Sequence, residues 1–170
     1  GAVMACPTDS GYALTCRLDD KAAYDKIKQI RALPDSHFMT LLCHNLSSLG
    51  HYAILNDNQA FRWIKAHTPG AYTFILKASK SVPKRVMQKK RKTIGLRIPD
   101  NVICQSLLSS LGEPLMSCSL ILPDETDALA DPWDIRDRLS HQVDIIIDGG
   151  YLWPEPTTRV DCVEGLVVET

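Results

Sequence analysis

The sequence lacks long apolar runs, since its longest apolar stretches, such as 145–147, cover only a few residues. A membrane span needs about 20. Its first residues show neither the basic segment nor the cleavage site of a secretory signal. The 170 residues are 45% hydrophobic and 23% charged, which suits one domain and excludes a disordered chain, a coiled coil or a fibre. We therefore expect a soluble domain in the cytoplasm that does not bind membranes.

Metal-binding cysteine and histidine spacings are also missing, because no C-x-x-C pair occurs and the five histidines follow no ligand pattern. Six cysteines could form three disulfides in a secreted chain. However, Cys6, Cys16, Cys43, Cys118 and Cys162 lie in or beside strand-like apolar runs, where free cysteine acts as a small core residue. The sequence favours reduced thiols in a reducing compartment, and it predicts no metal held by protein ligands.

Negative charge is absent between residues 58 and 99, although this stretch holds 11 of the 19 lysines and arginines. The rest of the chain has the other eight cations and all 20 acidic residues, so its net charge is −12. Such basic clusters bind the phosphates of nucleotides or nucleic acids, but they can also form a solvated surface that pairs with the acidic half. The candidate RNA-binding residues are Lys84, Arg85, Lys89, Lys90, Arg91 and Lys92.

Strand-like and helix-like segments alternate along the chain, which predicts an α/β domain with one mixed, twisted open sheet of about seven strands. Helices are expected at 20–33, 58–67, 102–111 and 132–139, with short helical turns at 47–51 and 83–88. A buried strand is predicted at each extreme of the chain, which is unusual for a free terminus. We therefore expect the complete fold to include further elements beyond both ends of residues 1–170.

Familiar nucleotide-binding and hydrolase motifs do not occur, since there is no P-loop, no G-x-G-x-x-G and no G-x-S-x-G. Instead, small hydroxyl side chains lie at the ends of predicted strands. Such hydroxyls can bind phosphate or carboxylate oxygens, or they can simply cap turns. They are Thr8, Ser10, Ser117, Ser119, Thr157 and Thr158.

Arg97 is a charged residue inside the apolar run 95–99. A charge in a strand is tolerated when it faces a cleft or a partner. An arginine there can hold a carboxylate or phosphate through two hydrogen bonds, although it can also sit on the outer surface of the strand. Both interpretations are open from the sequence.

Several segments together resemble the YrdC/YciO family. Residues 7–14 (P-T-D-S-G-Y-A-L) are similar to its P-T-D-T-x-Y-G-L signature. Further matches occur in order at 30–34, 68–73, 93–99, 114–119, 149–150 and 156–161. The resemblance covers nearly the whole chain, and the I-R-x-L-P and S-x-S-L-x-L-P segments are most similar to the YciO branch.

The resemblance implies a YrdC-like domain over residues 1–170 that lacks an N-terminal helix and the C-terminal end of the family fold. It also implies a concave, positively charged face that binds ATP and RNA. It also implies synthesis of threonylcarbamoyl-AMP from ATP, threonine and bicarbonate, a nucleotidyltransferase reaction that begins threonylcarbamoyladenosine formation on tRNA. By position in the motifs, Ser10 and Thr157 would contact threonine. Arg31 would lie near the phosphates, Ser119 would bind the nucleotide and Arg97 would line the pocket. ATP would enter with Mg²⁺ as substrate.

Arg31 replaces a lysine of the synthase pattern, which keeps the charge but alters the geometry. Two further positions lose a polar group of that pattern, because Leu33 replaces an arginine and Ile121 replaces an asparagine. A charge-assisted hydrogen bond that such a replacement removes is worth roughly 1.5–3 kcal/mol. The sequence therefore leaves two main alternatives: an enzyme with weak or altered synthase activity, and a protein that binds double-stranded RNA or tRNA without catalysis. A purely structural domain is a third, which no residue specifically favours.

Overall fold

The computed structural model describes residues 1–169 and contains one mixed sheet with five α-helices. The strands are β1 (Met4–Thr8), β2 (Gly11–Arg17), β3 (Thr40–Leu42), β4 (Ala53–Ile54), β5 (Tyr72–Ala78), β6 (Thr93–Arg97), β7 (Leu115–Ser119), β8 (Ile145–Ile146), β9 (Thr158–Asp161) and β10 (Val167–Glu169). The helices are α1 (Lys21–Arg31), α2 (Leu46–Tyr52), α3 (Asn58–Ala66), α4 (Val102–Leu111) and α5 (Pro132–Leu139), with a 3₁₀ turn at Lys84–Val86.

The sheet has the strand order β10-β9-β5-β6-β3-β7-β2-β1-β8, and β4 pairs with β5 beside this path. The β1–β8, β3–β6 and β5–β9 pairs are parallel, whereas the other pairs are antiparallel. The mixed α/β architecture is confirmed, but the sheet has ten strands where about seven were predicted. Three of the ten strands are very short, since β4 and β8 have two residues each and β10 has three. Strands at 143–147 and 166–169 were predicted and contain β8 and β10, whereas a hydrophobic pattern cannot be recognised over the two positions of β4.

Each helix begins at an Asp or Asn whose side chain accepts a hydrogen bond from a backbone amide of the first turn. This contact satisfies an amide that would otherwise lack a partner. Both α1 and α4 end in a left-handed residue, Ala32 with φ +54° and Gly112 with φ +68°. The predicted helices thus begin within about a residue of the observed ones, because their capping residues are recognisable in the sequence.

The two faces of the sheet are covered unequally. The main core lies on one face, to which α1, α2, α3 and α5 contribute buried residues such as Ile27, Leu49, Ile64 and Ile135. On the other face, Cys104 and Leu108 of α4 pack with residues of β1, β3 and β7 in a smaller cluster. Beyond this cluster the second face carries mainly polar side chains, and the candidate site lies there.

All six cysteines lie in the described part of the chain, where they are buried and free. Burial raises the pKa of Cys16 and of Cys43 to about 12. Within residues 1–169, none of the helices combines the length and the apolar character required to cross a membrane.

Candidate functional site

The turn between β1 and β2 contains the first two predicted hydroxyls. Thr8 Oγ1 donates a hydrogen bond to the Gly11 carbonyl (2.6 Å), accepts one from the Ser10 amide (3.1 Å) and lies 3.1 Å from Ser10 Oγ. Gly11 has φ +109°, a conformation that glycine adopts without strain. The Thr8 hydroxyl therefore stabilises the turn. Ligand binding by Thr8 or Ser10 stays a prediction.

Arg97 is buried in an ion pair with Asp9, a residue of the same turn. Its Nη2 lies 2.5 Å from Asp9 Oδ1, and Asp9 Oδ2 accepts a hydrogen bond from the Asp100 amide at 2.7 Å. Only 4% of Arg97 is exposed, which excludes the surface-facing interpretation. Burial lowers the pKa of Arg97, while the nearby Asp9 carboxylate opposes this shift. The ion pair fastens β6 to the β1–β2 turn.

The Arg97 guanidinium is not fully satisfied, because its buried Nε has no hydrogen-bond partner among residues 1–169. A buried donor without a partner is costly. Its Asp9 partner is a functional candidate that sequence reasoning did not select, although Asp9 belongs to the quoted 7–14 motif. Contact between Arg97 and a ligand stays a prediction.

Four hydroxyl side chains form two adjacent pairs on the polar face of the sheet, and we call Thr40, Thr73, Ser117 and Thr157 the hydroxyl strip. Thr40 Oγ1 lies 3.1 Å from Ser117 Oγ, and Thr73 Oγ1 donates to Thr157 Oγ1 at 3.1 Å. Ser117 and Thr157 were predicted, whereas Thr40 and Thr73 were not. Thr73 ends the quoted 68–73 motif, so a signal for it was present. Thr40 lies in an apolar run without such a signal.

Gly95 lies between the two pairs and leaves space above the sheet. It is the register partner of Thr40 on one side and of Ile75 on the other. A Cβ atom there would come within 3.0 Å of Thr40 Cγ2 and 3.2 Å of Thr73 Cγ2, closer than side chains normally pack. A groove of about 290 Å³ lies here, lined partly by Gly95, Thr40 and Thr73, with His37 and Arg159 also in its wall.

The groove wall also contains two ionisable side chains, which are more exposed than the hydroxyls of the hydroxyl strip. His37 and Arg159 are both exposed. Partial desolvation lowers the pKa of His37, and the positive charge of Arg31 lowers it further. His37 is therefore mostly neutral at pH 7, and the positive charge in the groove wall is that of Arg159, whose Nε lies 3.1 Å from a carboxylate oxygen of Glu169. Neither residue was selected from the sequence.

Arg31 and Ser119 approach each other at the ends of α1 and β7. Arg31 Nε donates to the Ile121 carbonyl at 2.8 Å, and the Ile121 amide donates to the Ser119 carbonyl at 2.8 Å. Ser119 pairs with Ala13, two positions along the ladder from the Thr15–Ser117 pair, so Ser119 and Ser117 share a face. The half-buried Leu33 packs against the main core. Leu33 and Ile121, the two positions that lose a polar group of the synthase pattern, thus lie beside Arg31.

Thr158, the last predicted hydroxyl, begins β9, and its amide donates to the Ala71 carbonyl at 3.0 Å. Its register partner is Tyr72, whereas Arg159 pairs with Thr73. Because side chains alternate between the faces of a strand, Thr158 points away from the face that carries Thr73. The structure does not bring Thr158 to the hydroxyl strip.

The predicted basic cluster lies in residues 79–92 between β5 and β6, which we call the lysine loop. Lys84, Lys89, Lys90 and Lys92 are exposed, and within residues 1–169 none of them forms an ion pair. Three of these lysines and Lys80 line a groove of about 660 Å³. These lysines can reach an anionic partner without first breaking an ion pair.

The two arginines of the cluster are used within the protein. Arg85 is half-buried, donates to the Leu18 carbonyl at 2.6 Å and lies 5.6 Å from the ring centroid of Tyr24. Arg91 forms two hydrogen bonds to the Asp161 carboxylate, at 2.8 and 3.3 Å. This ion pair lowers the pKa of Asp161. RNA binding by Arg85 and Arg91 stays a prediction, and it would have to compete with these contacts.

Sequence comparison relates the whole described chain to one family. The Sua5_yciO_yrdC family model, whose description is telomere recombination, matches residues 1–168. A Haemophilus influenzae uncharacterized protein is 59% identical over 165 residues, which cover 96% of this chain and 79% of that protein. A Vibrio vulnificus threonylcarbamoyl-AMP synthase is 28% identical over 151 residues, 88% of this chain and 80% of the synthase.

Solved structures agree with this result. The crystal structure of Escherichia coli YciO, itself an uncharacterized protein, matches with a TM-score of 0.92 and 54% identity over 99% of this chain and 82% of its own. P. abyssi Sua5, solved in complex with L-threonine, matches with a TM-score of 0.85 and 21% identity over 94% of this chain and 47% of its own. The second similarity shows a shared fold.

Proposed function

Because this chain belongs to the Sua5/YciO/YrdC family, we propose that it binds ATP and threonine along the hydroxyl strip and RNA on the lysine loop. The reaction is the formation of threonylcarbamoyl-AMP for tRNA modification. Free, buried cysteines are usual for proteins of a reducing compartment, and the cytoplasm is the compartment proposed.

The observation that carries this proposal is the groove above Gly95. A strand glycine flanked by hydroxyl side chains provides donors and acceptors beside open space. Thr73, Thr157 and Arg159 lie at one side of Gly95 and Thr40 and Ser117 at the other. Hydroxyls and an arginine suit a ligand that carries carboxylate and phosphate oxygens. The P. abyssi Sua5 complex with L-threonine and the Vibrio vulnificus synthase support threonine as the amino acid.

The proposed chemistry needs no nucleophilic side chain. The threonine amine and bicarbonate form a carbamate and water. A carbamate oxygen then attacks the α-phosphorus of ATP, the new O–P bond forms, the bond to the β-phosphate oxygen breaks, and pyrophosphate leaves. Mg²⁺ enters as part of the ATP substrate. The protein contributes orientation of the two reactants and stabilisation of negative charge.

Two positive groups lie near the proposed binding site. Arg159 lies in the groove wall, and Arg31 lies beside Ser119 through the Ile121 carbonyl. In the proposed complex Arg159 faces the carboxylate and Arg31 faces the phosphates, as the family resemblance suggests for Arg31.

The test is a pyrophosphate-release assay with ATP, Mg²⁺ and bicarbonate, run with and without threonine. We expect threonine-dependent release, and we expect Gly95→Ala to reduce it at least tenfold because the new methyl group enters the groove. Gly50→Ala is the matched control, since a Cβ at exposed Gly50 in α2 meets no atom within 4 Å. Release that does not depend on threonine, or equal rates in both variants, would contradict the proposal.

RNA binding without catalysis is the second candidate function, and Leu33 and Ile121 favour it. Both replace polar groups of the synthase pattern with hydrocarbon next to Arg31. In that case RNA binding would persist in an assay that shows no threonine-dependent release. The two measurements together therefore separate the enzyme from the binding protein.

A further inference from the structure

A second surface, unlike the lysine loop in character, exposes large aromatic side chains. Trp133 is 71% exposed, Trp153 is 75% and Tyr151 is 57%. Two of the chain's three tryptophans thus lie largely in water. Exposed aromatic groups of this size are enriched at the energetic centres of protein interfaces, and we call these three residues the aromatic patch.

The members of the aromatic patch come from two segments whose backbones lie side by side. Tyr151 and Trp153 make an edge-to-face contact with centroids 5.0 Å apart. The Leu152 amide between them donates to the Ala130 carbonyl at 2.9 Å, which fixes this segment next to the start of α5. Trp133, in the first turn of α5, then forms one wall of a groove of about 350 Å³ that also includes Asp148.

The surroundings of the aromatic patch are strongly acidic. Residues 124–155 contain nine Asp and Glu but only two arginines, and Arg138 already pairs with Glu125 at 2.8 Å. The carboxylates Asp134, Asp148 and Glu155 are exposed close to the patch in sequence. RNA and nucleotides would be repelled here, so this surface cannot extend the lysine loop.

Positive side chains suit this surface in two ways. Carboxylates attract them over distance, and tryptophan faces attract them at contact. The protein shows the second contact itself, because the Arg136 guanidinium lies 5.7 Å from the ring centroid of Trp133. Trp153 has no such internal partner among residues 1–169.

The nearby edge of the sheet favours a partner in extended conformation. The last strand in the sheet order is β8, whose pairing partner in the described part of the chain is β1 alone, and Ile146 of β8 lines the same groove as Trp133 and Asp148. A free strand edge can pair with an added strand. An extended segment beside β8 would carry its side chains past both the tryptophan and the carboxylate.

We propose that the aromatic patch and the acidic groups around it are the docking surface for an extended, arginine- or lysine-rich segment of a partner protein. Apolar residues of that segment pack on Tyr151 and Trp153, and its cations meet the carboxylates and the tryptophan faces. The proposal is independent of the synthase activity, because it uses none of the residues of the hydroxyl strip or the lysine loop.

The test measures fluorescence anisotropy of a labelled 12-residue peptide of alternating arginine and leucine with the full chain. A peptide with glutamate at every arginine position is the charge control. We expect the basic peptide to bind and the acidic one not to bind. Trp133→Ala combined with Trp153→Ala should weaken binding at least tenfold while the net charge stays unchanged. Since both side chains are largely exposed, the melting temperature should change little.

Phe61→Ala is the matched control, since Phe61 is an exposed aromatic residue (41%) on α3 beside Arg62 and Lys65. It should bind the basic peptide like the parent. Equal affinity of the double tryptophan variant and the parent would overturn the proposal, because attraction would then be general to the acidic surface. Sedimentation that shows self-association lost in the double variant would also overturn it, because a second copy would then be the occupant.

Discussion

The buried Arg97–Asp9 ion pair has a structural role that was not predicted from the sequence. The Arg97 guanidinium lies against the Asp9 carboxylate, and contact between Arg97 and a ligand stays a prediction. Breaking a buried pair on one side leaves an uncompensated charge, which commonly costs about 3–5 kcal/mol. Replacing both partners costs far less.

We therefore predict that Arg97→Met lowers the free energy of unfolding by about 3–5 kcal/mol. Adding Asp9→Asn to that variant should restore much of the loss, because no buried carboxylate is then left unpaired. Urea unfolding of the parent, both single variants and the double variant gives the coupling energy. Additive effects would show that the two side chains do not stabilise each other.

The Arg91–Asp161 pair gives a prediction for pH. Because the pair lowers the pKa of Asp161 below 3.8, its stabilisation is fully present above the unfolded-state pKa and is lost as the pH falls through the folded-state pKa. Arg91 is 41% exposed, so solvent screening limits the gain to about 0.2–1 kcal/mol. Asp161→Asn should lower the melting temperature by about 1–4 °C at pH 7, and this difference should shrink below pH 4. A difference that persists unchanged at pH 3 would contradict the assignment.

Among the residues of the candidate site, those selected from the sequence lie in recognisable motifs, although Thr73 and Asp9 lie in such motifs too and were missed. Ser117 and Thr157 could be selected because their motifs follow strand-like runs, and both lie in the hydroxyl strip. Thr40 could not be selected, because its importance depends on Ser117, which is 77 residues away in the chain. Strand register, which no local pattern encodes, brings the two hydroxyls together.

Two helices differ in the residue type that adopts the left-handed conformation at their C-terminal ends. Both α1 and α4 finish in the left-handed region, but α1 does so with alanine and α4 with glycine. A non-glycine residue in this region costs roughly 1–2 kcal/mol. The strain at Ala32 therefore lowers the stability of α1.

We predict that Ala32→Gly raises the free energy of unfolding by up to about 1 kcal/mol and that Gly112→Ala lowers it by a similar amount. The second variant isolates backbone strain, because a Cβ at Gly112 meets no atom within 4 Å. Thermal and urea unfolding provide the measurement. A stabilising Gly112→Ala would show that helix propensity outweighs the strain.

At the same scale, long elements were predictable and very short ones were not. The helix predicted at 102–111 matches α4 to the residue, because an Asn cap and a following Gly mark its ends. The segment predicted as a short helix at 83–88 forms only the 3₁₀ turn Lys84–Val86. The two-residue strand β4 was not predicted, because it exists only where β5 is available to pair with it, and this depends on tertiary structure.

Across the whole molecule, charge is divided between the basic lysine loop and the acidic 124–155 segment. The composition predicted this division. In the part of the chain that the structure describes, the exposed lysines of the loop form no ion pairs, while its two arginines are engaged. Counterion release makes RNA affinity depend on salt in proportion to the number of phosphate contacts.

We predict that Lys89→Ala, Lys90→Ala and Lys92→Ala combined weaken RNA binding and reduce the slope of log affinity against log salt by about 2 to 3. Lys21→Ala with Lys26→Ala on α1 is the control, since both of these lysines already lie near carboxylates. Filter binding or anisotropy at several salt concentrations measures the slope. The same slope in the triple variant and the parent would exclude the lysine loop as the RNA contact.

The burial of all six free thiols has a practical consequence for kinetics. A water-soluble disulfide reagent cannot reach a cysteine until the surrounding structure opens, so the rate at which the native protein is modified reports how often each region opens. Cys6 and Cys104 belong to the cluster between α4 and the sheet, whereas Cys16 and Cys118 belong to the main core on the opposite face. Mass spectrometry of samples taken at successive times would thus measure the opening rates of the two sides of the sheet separately, with the native cysteines alone.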